Sequence, residues 1–216
     1  MGPKKTELTR KRKSQSWWAV WLALWLVTGL AAAEARTIIF FGDSLTAGYG
    51  VDPDEAYPAL IQGKIDEAKL SWRVVNAGLS GETTAGGLRR LDWILRQPVD
   101  VFVIELGGND GLRGIPPAVT RSNLETMVQR IRQRHPRVQL VIAGMQLPTN
   151  MGPEHTREFA ALYPEVARES GAVLIPFLLE GVGGVPSLNL PDGIHPTPEG
   201  HRLVAETVWE KIRPLL

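Results

Sequence analysis

Thr37-Ile38-Ile39-Phe40-Phe41-Gly42-Asp43-Ser44-Leu45 is the stretch on which the fold turns. The β-branched and aromatic run 37–41 reads as a buried strand. Glycines at 42, 48 and 50 let the backbone turn sharply after it. Ser44 therefore falls at the carboxyl end of a strand, the edge at which open α/β sheets hold their ligands. If a helical turn starts at Ser44, its free N–H groups face any negative charge that develops there. Taken alone, the same residues read equally well as a helix N-cap, with Asp43 or Ser44 as the capping side chain.

Outward from this stretch, strand-like and helical patterns alternate. Strands are predicted at 37–41, 72–76, 101–106, 138–143 and 172–176. Between or after them run five stripes at helical spacing: Leu60, Ile61, Ile65 and Ala68; Leu88, Leu91 and Leu95; Leu124, Met127, Val128 and Ile131; Phe159, Leu162, Tyr163 and Val166; Leu203, Val204, Val208 and Ile212. All are expected to face a core. Near-continuous apolar strands alternating with helices imply an α/β fold with a mostly parallel sheet covered on both faces. The glycine-rich segments 77–87, 107–114 and 181–184 read as loops, and the first two follow strands directly.

The chain has 216 residues and a net charge of +1, but the charge is unevenly placed. Residues 1–16 carry +5, whereas residues 36–216 carry −3 and offer no basic stripe for nucleic acid. With no cysteine, disulfides, thiol nucleophiles and Cys-based zinc sites are excluded. A basic start, an uncharged run from Trp17 to Ala33 and Ala33-Glu34-Ala35 before Arg36 together have the layout of a secretory signal. Seventeen uncharged residues are also just enough for a retained membrane anchor. Residues 1–35 are read as signal peptide or anchor and 36–216 as the functional domain. In either case that domain is expected outside the cytoplasm, periplasmic or secreted, touching a membrane only through an uncleaved N-terminus.

Three further motifs fall at the same sheet edge. Asn76-Ala77-Gly78-Leu79-Ser80-Gly81 follows the second strand, and Gly78 would let a backbone N–H approach a ligand. Gly107-Gly108-Asn109-Asp110 follows the third, placing a side-chain amide on a tight turn where it can donate to an oxyanion. Asp192-Gly193-Ile194-His195-Pro196 precedes the last helix, and its carboxylate can reach the imidazole Nδ1–H and leave Nε2 free to take a proton from a serine. Singly, the first two are ordinary turn chemistry, and the third also fits a metal-ligand pair or a capping turn.

Jointly, Gly42-Asp43-Ser44-Leu45, Gly78, Gly107-Gly108-Asn109-Asp110 and Asp192-Gly193-Ile194-His195 resemble the GDSL esterases, or SGNH hydrolases. Glu105 to Gly114, Leu147-Pro148-Thr149-Asn150 and Asp192 to Pro196 resemble the bacterial periplasmic multifunctional thioesterase/lysophospholipase/arylesterase type. The resemblance implies a three-layer α/β/α sandwich of flavodoxin-like type with five strands. It implies Ser44 as nucleophile, His195 as general base and then acid, and Asp192 as its orienting partner. Ser44, Gly78 and Asn109 would form the oxyanion hole, with no metal or cofactor. Leu112, Ile115, Leu147 and Met151 are expected to border an acyl site, and Asp43 and Asp110 to brace loops. Ser80, His135, His155 and His201 are not expected to be catalytic. The implied substrates are aryl esters, acyl thioesters such as acyl-CoA, and lysophospholipids, turned over by a monomer. The alternatives are a carbohydrate O-acetylesterase on the same scaffold and an inactive exported lipid-binding module.

Overall fold

The run from Ile38 to Phe41 has no solvent exposure at all, because it lies in the middle of a sheet with both faces covered. That sheet is seen in a computed structural model that describes residues 1, 2, 4 and 35–216. The expected signal or anchor lies outside the described residues apart from those few positions. Ala35–Leu216 forms one compact unit. Its strands are β1 (Arg36–Gly42), β2 (Trp72–Gly78), β3 (Val101–Glu105), β4 (Gln139–Ala143) and β5 (Val173–Ile175). They run in the order β2-β1-β3-β4-β5, and every pair is parallel.

This order reverses direction at β1. Successive crossovers leave β1 toward β2 on one side and toward β3, β4 and β5 on the other, so the connections after β1 and β3 diverge and leave a crevice. Gly42 of β1 is paired with Glu105 of β3 at the mouth of that crevice. Ser44 begins two residues later.

Seven α-helices complete the domain: α1 (Ser44–Ala47), α2 (Tyr57–Glu67), α3 (Thr84–Ile94), α4 (Gly108–Leu112), α5 (Pro117–Arg134), α6 (Pro153–Ser170) and α7 (Pro198–Ile212). Helix packing places α2 and α7 together on one face and α3, α5 and α6 on the other, giving three layers. Two residues of the predicted stripes lie off the core. Ala68 sits just past the end of α2 and is exposed. Leu203 is exposed because the buried arc of α7 runs through His201, Val204, Ala205, Val208 and Ile212, one position away on the helix.

Two glycines bring the sheet edge close to the site. A Cβ at Gly42 would run into Glu105 and Thr46, so β1 can end over a buried carboxyl group only without a side chain. Gly107 has φ 116°, and a Cβ there would strike the Tyr163 hydroxyl, which donates to Leu106 O at 3.2 Å.

Candidate active site

The nucleophile turn is built from its own backbone. Asp43 caps α1 by accepting the Leu45 N–H at 3.0 Å, and Gly48, in the left-handed region, ends the helix after one turn. Ser44 is therefore the first residue of a helix, where an N–H has no partner within the helix. The other Asp43 oxygen accepts from Asn109 Nδ2 at 2.9 Å, tying the turn after β1 to α4. An amide nitrogen carries two hydrogens, so one anchors the side chain and the other is left for a ligand.

Beneath this lies a buried polar chain. Glu105 Oε2 accepts from the Asp43 N–H at 3.1 Å and from Thr46 Oγ1 at 2.7 Å, and Thr46 Oγ1 lies 2.7 Å from the Tyr57 hydroxyl. Burial, aided by the Asp43 charge, pushes Glu105 well above the usual carboxylate range. Burial also raises Asp43 to about 6, although the Leu45 N–H, the Asn109 amide and His195 pull against it.

His195 arrives on the loop between β5 and α7. Leu190 N donates to His195 O at 2.7 Å, Gly193 N to Leu190 O at 2.8 Å, and Asn189 pairs with Pro196 across the loop. Asp192 Oδ1 accepts the N–H groups of Ile194 at 2.9 Å and His195 at 3.0 Å, while Oδ2 lies 2.6 Å from His195 Nδ1. Partial burial would raise the Asp192 pKa, but the N–H donors of His195 and Ile194 and the imidazole outweigh it and bring the carboxyl down to about 2. His195 Nε2 lies 2.8 Å from Ser44 Oγ. Hydroxyl, imidazole and carboxylate thus form one hydrogen-bonded chain across a sequence separation of 151 residues.

The chain opens on a cavity of about 630 Å³. Leu112 and Leu147 line it, with Leu45, Met145, Phe177 and Leu179. Ile115 and Met151, expected beside them, do not. Ile115 N is bonded to Asp110 O in the turn that leaves α4, and Met151 packs against the core. Tyr49 was not singled out from the sequence, yet it lines the cavity with its ring centroid 4.5 Å from that of His195.

Gly78 also requires correction. Its N–H is already donated to Asn76 Oδ1 at 2.9 Å, and the space a Cβ would need is filled by the Ala47 backbone. Gly81, three residues on, lines the cavity instead, with φ 78°. No acceptor takes its N–H among the described residues. Its carbonyl accepts from Arg113 Nη2 at 3.0 Å, and the neighbouring Glu82 is paired with Arg90, which also donates to Gly42 O at 3.2 Å. These bonds fix the Gly81 turn against the end of β1. A signal was present in the sequence: Asn two residues before Gly78 can close a turn on itself and use up that N–H.

The remaining groups have other partners. Asp110 accepts from Thr84 N at 2.8 Å and pairs with the Thr84 hydroxyl, bracing α4 against α3. His135 Nε2 lies 3.0 Å from Leu95 O and His155 Nε2 3.2 Å from Gly111 O. His201 is buried in α7, and its Nδ1 accepts the Tyr57 N–H at 3.3 Å. Among the described residues, no group of three or more His, Asp and Glu side chains could hold a metal ion.

A serine joined to an imidazole and a carboxylate at the carboxyl edge of a parallel sheet is the arrangement of serine hydrolases. The chain belongs to the GDSL-like lipase/acylhydrolase family, whose model matches residues 40–203, and it is an ester hydrolase. It is 44% identical over 196 residues to esterase TesA of Pseudomonas aeruginosa, covering 90% of this chain and 96% of that protein. It is 38% identical over 201 residues to thioesterase 1/protease 1/lysophospholipase L1 of Escherichia coli K12, covering 93% and 94%. An arylesterase of Vibrio mimicus is 36% identical over 192 residues, covering 88% and 95%. A crystal structure of TesA superposes with a TM-score of 0.80 at 42% identity, over 84% of this chain and all of that one.

Proposed function

We propose that this chain hydrolyses carboxylic esters and acyl thioesters with apolar acyl groups, through an acyl-enzyme on Ser44. The observation that carries the reading is the 2.8 Å contact of Ser44 Oγ with His195 Nε2 beside a cavity lined by Leu112, Met145 and Leu147. An unassisted serine hydroxyl is a weak nucleophile, so the imidazole must take its proton as Oγ attacks the acyl carbon. Asp192, ionised and bonded to Nδ1, holds the tautomer with Nε2 free and stabilises the imidazolium that forms. The oxyanion is held by the N–H groups of Ser44 and Gly81 and by the second hydrogen of Asn109 Nδ2. His195 then protonates the leaving oxygen or sulfur, the C–O or C–S bond breaks, and a water activated by the same imidazole releases the acid.

The apolar cavity and the relatives named as arylesterase and thioesterase/lysophospholipase support aryl esters, acyl thioesters and lysophospholipids as substrates. The triad and the oxyanion donors invoked are complete within one chain, so the chemistry needs no residue from a second copy. The basic start, apolar run and Ala33-Glu34-Ala35 support export of the domain 36–216. The test is Ser44→Ala with p-nitrophenyl esters and acyl-CoA thioesters of graded chain length, beside labelling by a fluorophosphonate. The variant should lose turnover by about 10⁴-fold or more and fail to label. Retained esterase activity, or wild-type activity confined to acetylated sugars, would refute the reading.

A further inference from the structure

Tyr49 is a large aromatic residue left 53% exposed at the mouth of an apolar cavity. Its position is set on both sides. Its N–H donates to Ser44 O at 3.0 Å, so it hangs from the nucleophile itself. It lies between Gly48 (φ 78°) and Gly50 (φ 80°), and a Cβ at Gly50 would run into Leu190. One part of the ring meets His195, with centroids 4.5 Å apart and planes inclined at 43°. The rest is open to the cavity.

The order of events around His195 says what that open part meets. In the tetrahedral intermediate the oxyanion points at the N–H donors. His195 Nε2 must then hand its proton to the leaving oxygen or sulfur, which has to lie within hydrogen-bond reach of it. The alcohol or thiol half of the substrate therefore starts beside the imidazole, and the ring flanking the imidazole is Tyr49. The acyl half, bonded to the same carbon, must then run along other parts of the lining, which include Leu112, Met145 and Leu147.

We propose that Tyr49 is the leaving-group platform of this enzyme: its free ring surface stacks the alcohol or thiol half of the substrate and favours flat aromatic leaving groups over small alkyl ones. The inference rests on the Ser44–His195 reading above and deepens it. Aromatic stacking of this kind is worth about 2- to 10-fold in binding. Contact with a part of the substrate that does not react changes KM more than kcat.

The test compares full-length wild type, Tyr49→Phe and Tyr49→Leu on phenyl butyrate and ethyl butyrate, with one p-nitrophenyl series of graded acyl length. Tyr49→Leu should lower kcat/KM for the phenyl ester about 3- to 10-fold more than for the ethyl ester, mostly through KM. Tyr49→Phe should keep the wild-type preference, and both variants should keep the wild-type acyl-length profile. Equal losses on the two esters would overturn the proposal and leave Tyr49 only as a prop for His195. A shifted acyl-length optimum would overturn it by placing the ring on the acyl side. Fluorophosphonate labelling separates this failure from the larger one: Tyr49→Leu that labels at Ser44 tests the platform, whereas wild type that does not label removes the reading beneath it.

Discussion

Two aspartates feel the same imidazole, one bonded to it and one through its charge, and their surroundings give them opposite characters. Asp192 sits on an exposed loop, its side chain 38% accessible, with two backbone N–H groups and the imidazole directed at it. These donors hold its carboxyl at about 2. Asp43 is 2% exposed, is joined through its N–H to the buried Glu105, and has been raised by burial to about 6. Nearness in sequence to the nucleophile would favour Asp43 as the orienting acid. Geometry and charge favour Asp192, because only it touches Nδ1 and only it is ionised across the acid range. Asp43 joins Ser44 to Asn109 instead, and so belongs to the positioning of the oxyanion donors.

The sharpest way to break this contrast is to neutralise each carboxyl in turn. Asp192→Asn keeps an oxygen for the Ile194 and His195 N–H groups but removes the negative charge beside Nδ1. We expect kcat to fall by about 10² to 10⁴, with KM little changed, on a p-nitrophenyl ester. Asp43→Asn keeps one acceptor oxygen for two donors, the Leu45 N–H and the Asn109 amide, so the amide is held less firmly and the loss should be smaller, about 10-fold. Removing an oxyanion donor outright costs about 10² to 10³. The smaller effect should also vanish in an Asn109→Ala background, since Asp43 would then have no amide left to orient. If Asp43→Asn is as damaging as Asp192→Asn, or adds fully to Asn109→Ala, the division of roles is wrong.

How far this contrast could be read beforehand differs between the two halves of the site. The sheet was legible because a strand buried on both faces is a short, nearly continuous apolar run, and 37–41 and 101–106 are such runs, rich in β-branched and aromatic residues and each followed by glycine. Asp192 and His195 were legible as a pair because three residues on a Gly/Pro-shaped loop bring a carboxylate back to a ring. Gly78 was misread for a related reason. Two glycines lie three apart at the end of β2, and motif order alone does not say which N–H remains free; Asn76 decides it by closing a turn on the first. Tyr49 escaped notice because its partner His195 is 146 residues away, and no local pattern marks an aromatic that stacks across such a distance. The acid character of Asp43 and Glu105 was likewise invisible, since it comes from burial between β1, β3 and α2 rather than from neighbours in sequence.

The smallest effect concerns stability, and there the two aspartates should separate by pH. Asp43 rises from 3.8 to about 6 in the fold, so between those values the native state holds a proton that the unfolded chain has lost. Its contribution is fully present below about pH 4 and is lost as pH climbs through 6. Glu105, also raised by burial, acts in the same direction. His201 opposes them: burial lowers it from 6.5 to about 4, so stability is lost as pH falls through that window. Asp192 is lowered from 3.8 to about 2, and its contribution is complete above 3.8 and lost only in stronger acid. Asp43→Asn should therefore gain on wild type by on the order of 2 kcal/mol between pH 4 and 7, as the cost of ionising a buried carboxyl disappears. Asp192→Asn should run parallel to wild type over the same range. Urea unfolding at pH 4, 5, 6 and 7 measures both differences. Parallel curves for Asp43→Asn would mean that Asp43 is not held as a raised acid in the fold, and the opposition between the two carboxyls would lose its basis.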